Sequence, residues 1–181
     1  MPDNADNGKT VYIGIDSTNS GRHPEVYVAV FSEFASDVIV KNHGRNMRAS
    51  GFYLEQMLSQ RDYRYLMIEN PAKYEYKEII AKTSSLMIND FIKDKSSSLE
   101  IYIDGFLLSE QKDDVKNKTS ILCNIPKESI QVYDVVKGKK KHGNTNELIF
   151  LADGKARWYL NFIWQHRISK LRNLEKRVSF G

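Results

Sequence analysis

Three aspartates in this chain stand where a carboxylate can be held still. Asp16 closes the apolar run Val11-Tyr-Ile-Gly-Ile, Asp104 closes Glu100-Ile-Tyr-Ile, and Asp153 lies inside Leu148-Ile-Phe-Leu-Ala-Asp-Gly-Lys-Ala-Arg-Trp. Magnesium and manganese ions prefer oxygen ligands and take one or two protein carboxylates together with water and phosphate oxygens. Two such ions roughly 3.5–4 Å apart activate a water and stabilise the leaving oxygen of a phosphodiester. Three carboxylates so spaced therefore predict one Mg2+ or Mn2+ site acting on nucleic acid. Each also has a structural alternative. Asp104 before Gly105 is a turn-forming pair. Asp153, on a helical stripe with Ile149, Phe150, Leu160 and Trp164, needs either a metal or an ion partner, with Lys155 and Arg157 at hand.

The elements that position these groups can be read from the hydrophobic pattern. Val11 to Asp16 and Glu25 to Phe31 read as strands joined by a Ser-, Asn- and Gly-rich loop, and Ser36 to Lys41 as a third. Asn46 to Gln60 has mixed three- and four-residue apolar steps, which predict a helix despite Gly51. Arg64 to Glu69 is a short apolar run stopped by Asn70-Pro71, so a buried strand is expected, and Glu69 becomes another carboxylate at a strand end. Tyr76 to Ile92 carries Ile79, Ile80, Thr83, Leu86, Met87 and Phe91 at helical spacing. Leu99 to Ile103 and Ile130 to Val136 read as strands, and Asp113 to Leu122 as a short helix. A last long helix is expected from Glu147 to about Leu174, capped by Thr145 or Asn146.

Strands followed by alternating strands and helices specify an α/β fold with a mixed sheet of about five or six strands flanked by helices. Residues 1–9 read as a polar, disordered lead-in and 10–181 as a single domain. In such sheets the functional crevice lies beyond the carboxyl ends of the parallel strands, where Asp16 and Asp104 fall. No apolar run approaches the roughly 20 residues that span a bilayer, and the first residues have no apolar signal core, so a cytoplasmic protein with no membrane partner is expected. The lone Cys123 reads as a buried small hydrophobe.

Net charge is +4, and the excess is clustered: Lys137, Lys139, Lys140, Lys141 and His142 form one run, and Arg167, Lys170, Arg172, Lys176 and Arg177 another. Such clusters suit a nucleic-acid backbone, with Lys155 and Arg157 as further phosphate contacts, although a solvated loop has the same composition. Trp158 and Trp164 on an apolar and basic helix are consistent with a homodimer. Tyr63, Tyr65, Tyr74 and Tyr76 have the chemistry to stack bases, but interleaved tyrosines more often pack, and no role is assigned to them. There is no Walker-type phosphate loop, no His-Glu-x-x-His and no Gly-x-Ser-x-Gly elbow.

Taken together, Tyr12-Ile-Gly-Ile-Asp16-Ser-Thr-Asn-Ser-Gly21, Ile101-Tyr-Ile-Asp104-Gly105 and Asn144-Thr-Asn-Glu-Leu-Ile-Phe-Leu-Ala-Asp153-Gly-Lys-Ala156 resemble the ribonuclease-H-like superfamily. They are similar to a largely uncharacterised bacterial and archaeal group with an Asp-Glu-Ser-Gly opening strand and a closing Ala-Asp-x-x-Ala helix. The resemblance runs from about Val11 to Ile163. It implies metal-dependent phosphodiester hydrolysis with Asp16, Asp104 and Asp153 as ligands. Ser17 stands where that group has glutamate, so the resemblance leaves a ligand to be supplied by Glu69 or Glu147. Two other readings accompany it: a binding module of the same fold without catalysis, and the phosphate-binding turn of actin-like sugar kinases, which need two such domains.

Overall fold

The computed structural model describes residues 8–18, 24–43, 51–94, 97–135, 144–166 and 176–180. The elements in chain order are β1 (Thr10–Thr18), β2 (Glu25–Ser32), β3 (Lys41–Asn42), α1 (Gly51–Leu58), β4 (Asp62–Ile68), α2 (Tyr76–Phe91), β5 (Ser98–Asp104), α3 (Ser109–Cys123), β6 (Ile130–Val135), β7 (Asn144–Thr145) and α4 (Glu147–His166). Five strands form one mixed sheet in the order β4-β2-β1-β5-β6, and β3 pairs with β7 in a separate two-stranded ribbon. β2 is antiparallel to both neighbours, whereas β1, β5 and β6 run parallel, so β4 shares the direction of β1.

Alternation along the strands sends two sets of side chains to two cores. On one face Ile13, Ile15, Tyr27, Phe31, Leu99, Ile101 and Ile103 pack with Ile80, Met87 and Ile88 of α2 and Val115 of α3. On the other, Val26, Val28, Val30, Tyr65 and Met67 meet Leu148, Leu151, Ala152, Tyr159 and Ile163 of α4 with Leu54 and Leu58 of α1. α4 comes so close to β1 that a Cβ on Gly14 would lie 2.4 Å from the Leu148 Cβ and 2.7 Å from its backbone carbon. Of the two expected caps Asn146 serves, its Oδ1 accepting the Ile149 N–H at 2.8 Å. Cys123 is buried, which pushes its thiol pKa up to about 11.

The expected third strand at Ser36 to Lys41 does not form. Ala35–Val38 is a 3-10 turn, and only Lys41–Asn42 is extended, outside the main sheet. The cause is Asp37, whose carboxylate takes both a Ser32 hydroxyl at 2.5 Å and a two-pronged Arg61 guanidinium at 2.8 Å, folding the chain back under the end of β2. Ile39 and Val40, which suggested a strand, are exposed. The helix expected over 46–60 is observed as α1, with residues 44–50 outside the described set; the long final helix is observed to His166, with 167–175 outside it. The chain end returns at β4: the Tyr65 N–H donates to the Lys176 carbonyl at 2.9 Å and the Val178 N–H to the Tyr65 carbonyl at 2.8 Å. No helix among the described residues is long and apolar enough to cross a membrane.

Candidate functional site

β1 and β5 are paired in parallel through Ile15 and Ile103. One residue further on each strand stand Asp16 and Asp104, level with each other at the carboxyl end of the sheet. Strand alternation turns both to the face that carries Gly14 and α4. Neighbouring strands lie about 4.8 Å apart, which sets the two residues side by side on adjacent strands. Asp16 is buried, its Oδ1 accepting the Ser17 N–H at 2.7 Å, and Asp104 is half-buried. Gly105 follows with φ of +111°, a conformation that favours glycine, and its N–H donates to the Val135 carbonyl at 3.1 Å. That turn pins the end of β5.

The other expected site residues are more scattered. Asp153 sits on the second turn of α4 and accepts the Arg157 Nε–H at 2.9 Å, so two residues expected to bind metal and phosphate hold each other. Glu69 is exposed just past β4, at the same end of the sheet as Asp16 but beyond the intervening β2. Glu147 is buried at the first turn of α4; its carboxylate takes the Tyr53 hydroxyl of α1 and lies 3.9 Å from the His43 Nε2, with the His43 ring stacked on Phe150. The Tyr53 phenol is pushed up to about 12 by burial and by that carboxylate. Lys155 is turned into a ring of Tyr63, Trp158 and Tyr159, its Nζ 3.9 Å from the Trp158 ring centroid, and burial there lowers its pKa. Lys137, Lys139, Lys140, Lys141 and His142 lie outside the described residues. Among the described residues no group of three or more His, Cys, Asp or Glu is gathered as a metal cage.

Two acidic residues that the sequence reading passed over share this end of the sheet. Asp134 is level with Ile103 on β6 and so faces α3, where Lys112 Nζ lies 2.7 Å from Oδ1 and the Leu107 N–H donates to Oδ2 at 3.0 Å. Burial pushes its carboxyl up, but these two partners outweigh that and hold it below the usual carboxylate value. Glu25 is buried at the start of β2 and accepts, at 2.7 Å, the hydroxyl of Tyr27, the register partner of Ser17. Burial, then the Glu25 charge, raise the Tyr27 pKa. The signal that could have found Asp134 is the parallel register itself, since Ile130-Gln-Val-Tyr-Asp aligns residue by residue with Leu99-Glu-Ile-Tyr-Ile.

No family model matches the chain, and no curated protein matches it by sequence. Solved structures do. A ribonuclease HII of Archaeoglobus fulgidus, solved in complex with PCNA, superposes with a TM-score of 0.55 at 13% identity, covering 92% of this chain and 81% of that one. The chain has the ribonuclease-H-like fold. A Bst ribonuclease HIII in complex with Mn2+ (TM-score 0.52, 15% identity) and a mutant form of the same ribonuclease (0.53, 16%) each cover 87% of this chain. The chain spans about half of those ribonuclease HIII structures, 54% in each case. In this fold the Asp16–Asp104 pair lies on the strand ends beyond which parallel sheets place their crevice.

The donor chemistry fits the metal expected there. Carboxylates on adjacent strands match the oxygen donors that Mg2+ and Mn2+ prefer, since such ions take one or two protein carboxylates together with water and phosphate oxygens.

Proposed function

We propose that the protein is a nuclease hydrolysing phosphodiester bonds of nucleic acid with Mg2+ or Mn2+ held by Asp16 and Asp104. The observation that carries this reading is the level, same-face placement of those two carboxylates at the carboxyl end of paired parallel strands. When bound, the metal would supply a deprotonated water and charge neutralisation at the phosphate. Asp16 and Asp104 would hold the cation through their carboxylate oxygens, and no side-chain general base is needed. Asp153 is a third oxygen if Arg157 releases it, with Glu69 and Glu147 as further candidates. The Lys137–His142 run and Arg157 would meet the phosphate backbone.

Cleavage of labelled single-stranded, duplex and hybrid oligonucleotides tests this. Asp16→Asn and Asp104→Asn should each lower Mn2+-dependent cleavage by about a hundredfold or more with folding intact, because several kcal/mol of charge stabilisation are removed. An Asp16→Asn protein as active as wild type would end the assignment. The second reading is a nucleic-acid binding module without catalysis, favoured by Ser17 beside Asp16 and by the hold of Arg157 on Asp153. It predicts metal-independent binding with steep salt dependence and no cleavage.

A further inference from the structure

Behind Asp16, on the far side of the sheet, the β1–β2 pair holds a buried polar chain. Alternation along β1 turns Asp16 toward α4 and Ser17 to the opposite face, which Ile13 and Ile15 share with Tyr27 of β2. Ser17 and Tyr27 are register partners there, and the Ser17 side chain hydrogen-bonds the Tyr27 phenol. The Tyr27 hydroxyl in turn donates to Glu25 Oε1 at 2.7 Å. A carboxylate only accepts and a phenol has one proton to give, so Ser17 donates to Tyr27 and Tyr27 to Glu25. Tyr27 is 4% exposed and Glu25 2%, so water competes little for the bond between them. The outer end of the chain is Ser17, whose backbone N–H donates to Asp16 Oδ1 at 2.7 Å.

We propose that Tyr27 and Glu25 are positioning residues for the metal-holding edge, acting on Asp16 through Ser17. The inference rests on the nuclease reading and adds to it what keeps Asp16 in place. β1 ends at Thr18, and local opening starts at the ends of elements. α4 packs against β1 at Gly14, two residues before Asp16. The Ser17–Tyr27–Glu25 chain fastens the strand one residue after Asp16, to a carboxylate buried on β2. Asp16 is thereby held between two anchors, and its Oδ1 rests on an N–H whose peptide plane the chain fixes. Groups that stand behind a metal ligand in this way commonly set metal affinity by about ten- to a hundredfold. Ser17 gains a role of its own: it offers the metal no carboxylate but ties Asp16 to β2.

The test is calorimetric titration of Mn2+ into full-length wild type, Ser17→Ala, Ser17→Thr and Tyr27→Phe, with a melting curve for each. Ser17→Ala and Tyr27→Phe each break the chain and should weaken Mn2+ binding about tenfold. Ser17→Thr keeps the hydroxyl on a residue suited to a strand and should bind Mn2+ as wild type does. The double variant Ser17→Ala/Tyr27→Phe should lose no more than either single one, because the chain can be broken only once. A lower melting temperature in Ser17→Ala with its Mn2+ affinity unchanged would reduce the chain to a structural one and overturn the proposal. A Ser17→Thr protein that binds as weakly as Ser17→Ala would overturn it too. Either result leaves the nuclease reading standing, whereas no Mn2+ binding by wild type removes both.

Discussion

One face of the sheet has two halves built on opposite rules. Under α4, β2 sets Val26, Val28 and Val30 against Leu148, Leu151 and Ala152, and every residue of β2 is buried. On β5 and β6 the same face carries half-buried Glu100, Tyr102 and Asp104 and exposed Tyr133, and no described helix covers it as α4 covers β2. Asp16 stands at the boundary, on the last strand that α4 covers. The covered half fixes where the carboxyl edge lies, and the open half leaves room for something to lie against it. Rigidity and access thus come from different strands of one sheet.

Substitutions that damage the cover should be costly, and those on the open half should not. The largest effect is expected at Asp37, whose side chain and that of Arg61 are almost fully buried under the covered half. Asp37→Ala strands the guanidinium and should cost about 3 to 5 kcal/mol by denaturant unfolding. The same pair predicts acid sensitivity. Burial pushes the Asp37 carboxyl up, but the bonds from Arg61 and Ser32 outweigh it and leave its pKa below the usual value. A group lowered in the folded state contributes fully above its unfolded pKa, about 3.9, and loses that contribution as pH falls through the lower folded value. Melting temperature should therefore fall below about pH 4, and less steeply in Asp37→Ala.

Next comes Gly14→Ala, which forces a methyl into the Leu148 backbone and should cost about 2 to 3 kcal/mol by lifting α4 from β1. Asn146→Ala removes the cap of α4 and should cost about 1 kcal/mol in the same unfolding assay. At the small end, Gln131→Ala on the exposed face of β6 should stay within about 0.5 kcal/mol of wild type. A large loss there would mean that this half of the face is covered after all.

Local signals in the sequence reached the parts of this fold that local physics determines. The apolar runs ending in Asp16 and Asp104 are strands whose residue types alone predict burial, and the helical spacing from Tyr76 matches α2 to within a residue. What failed depended on distant residues. Val38-Ile-Val has the β-branched composition of a strand, but Asp37 is claimed by an arginine 24 positions away. Gly14 looks like an ordinary strand glycine until α4, more than 130 residues later, packs against it. Asp134 gains meaning only from the parallel register of β5 with β6, which no single segment encodes. Asp153 was legible both ways: Arg157 one turn on was visible as a partner, and that pair is the one observed.

The most direct test of the central claim is isothermal titration of Mn2+ into wild type, Asp16→Asn and Asp104→Asn. The account predicts binding heat in wild type that disappears in both variants while their melting curves stay close to wild type. Heat that survives in Asp16→Asn and Asp104→Asn would contradict it, because the ion would then be held somewhere other than the carboxyl ends of β1 and β5.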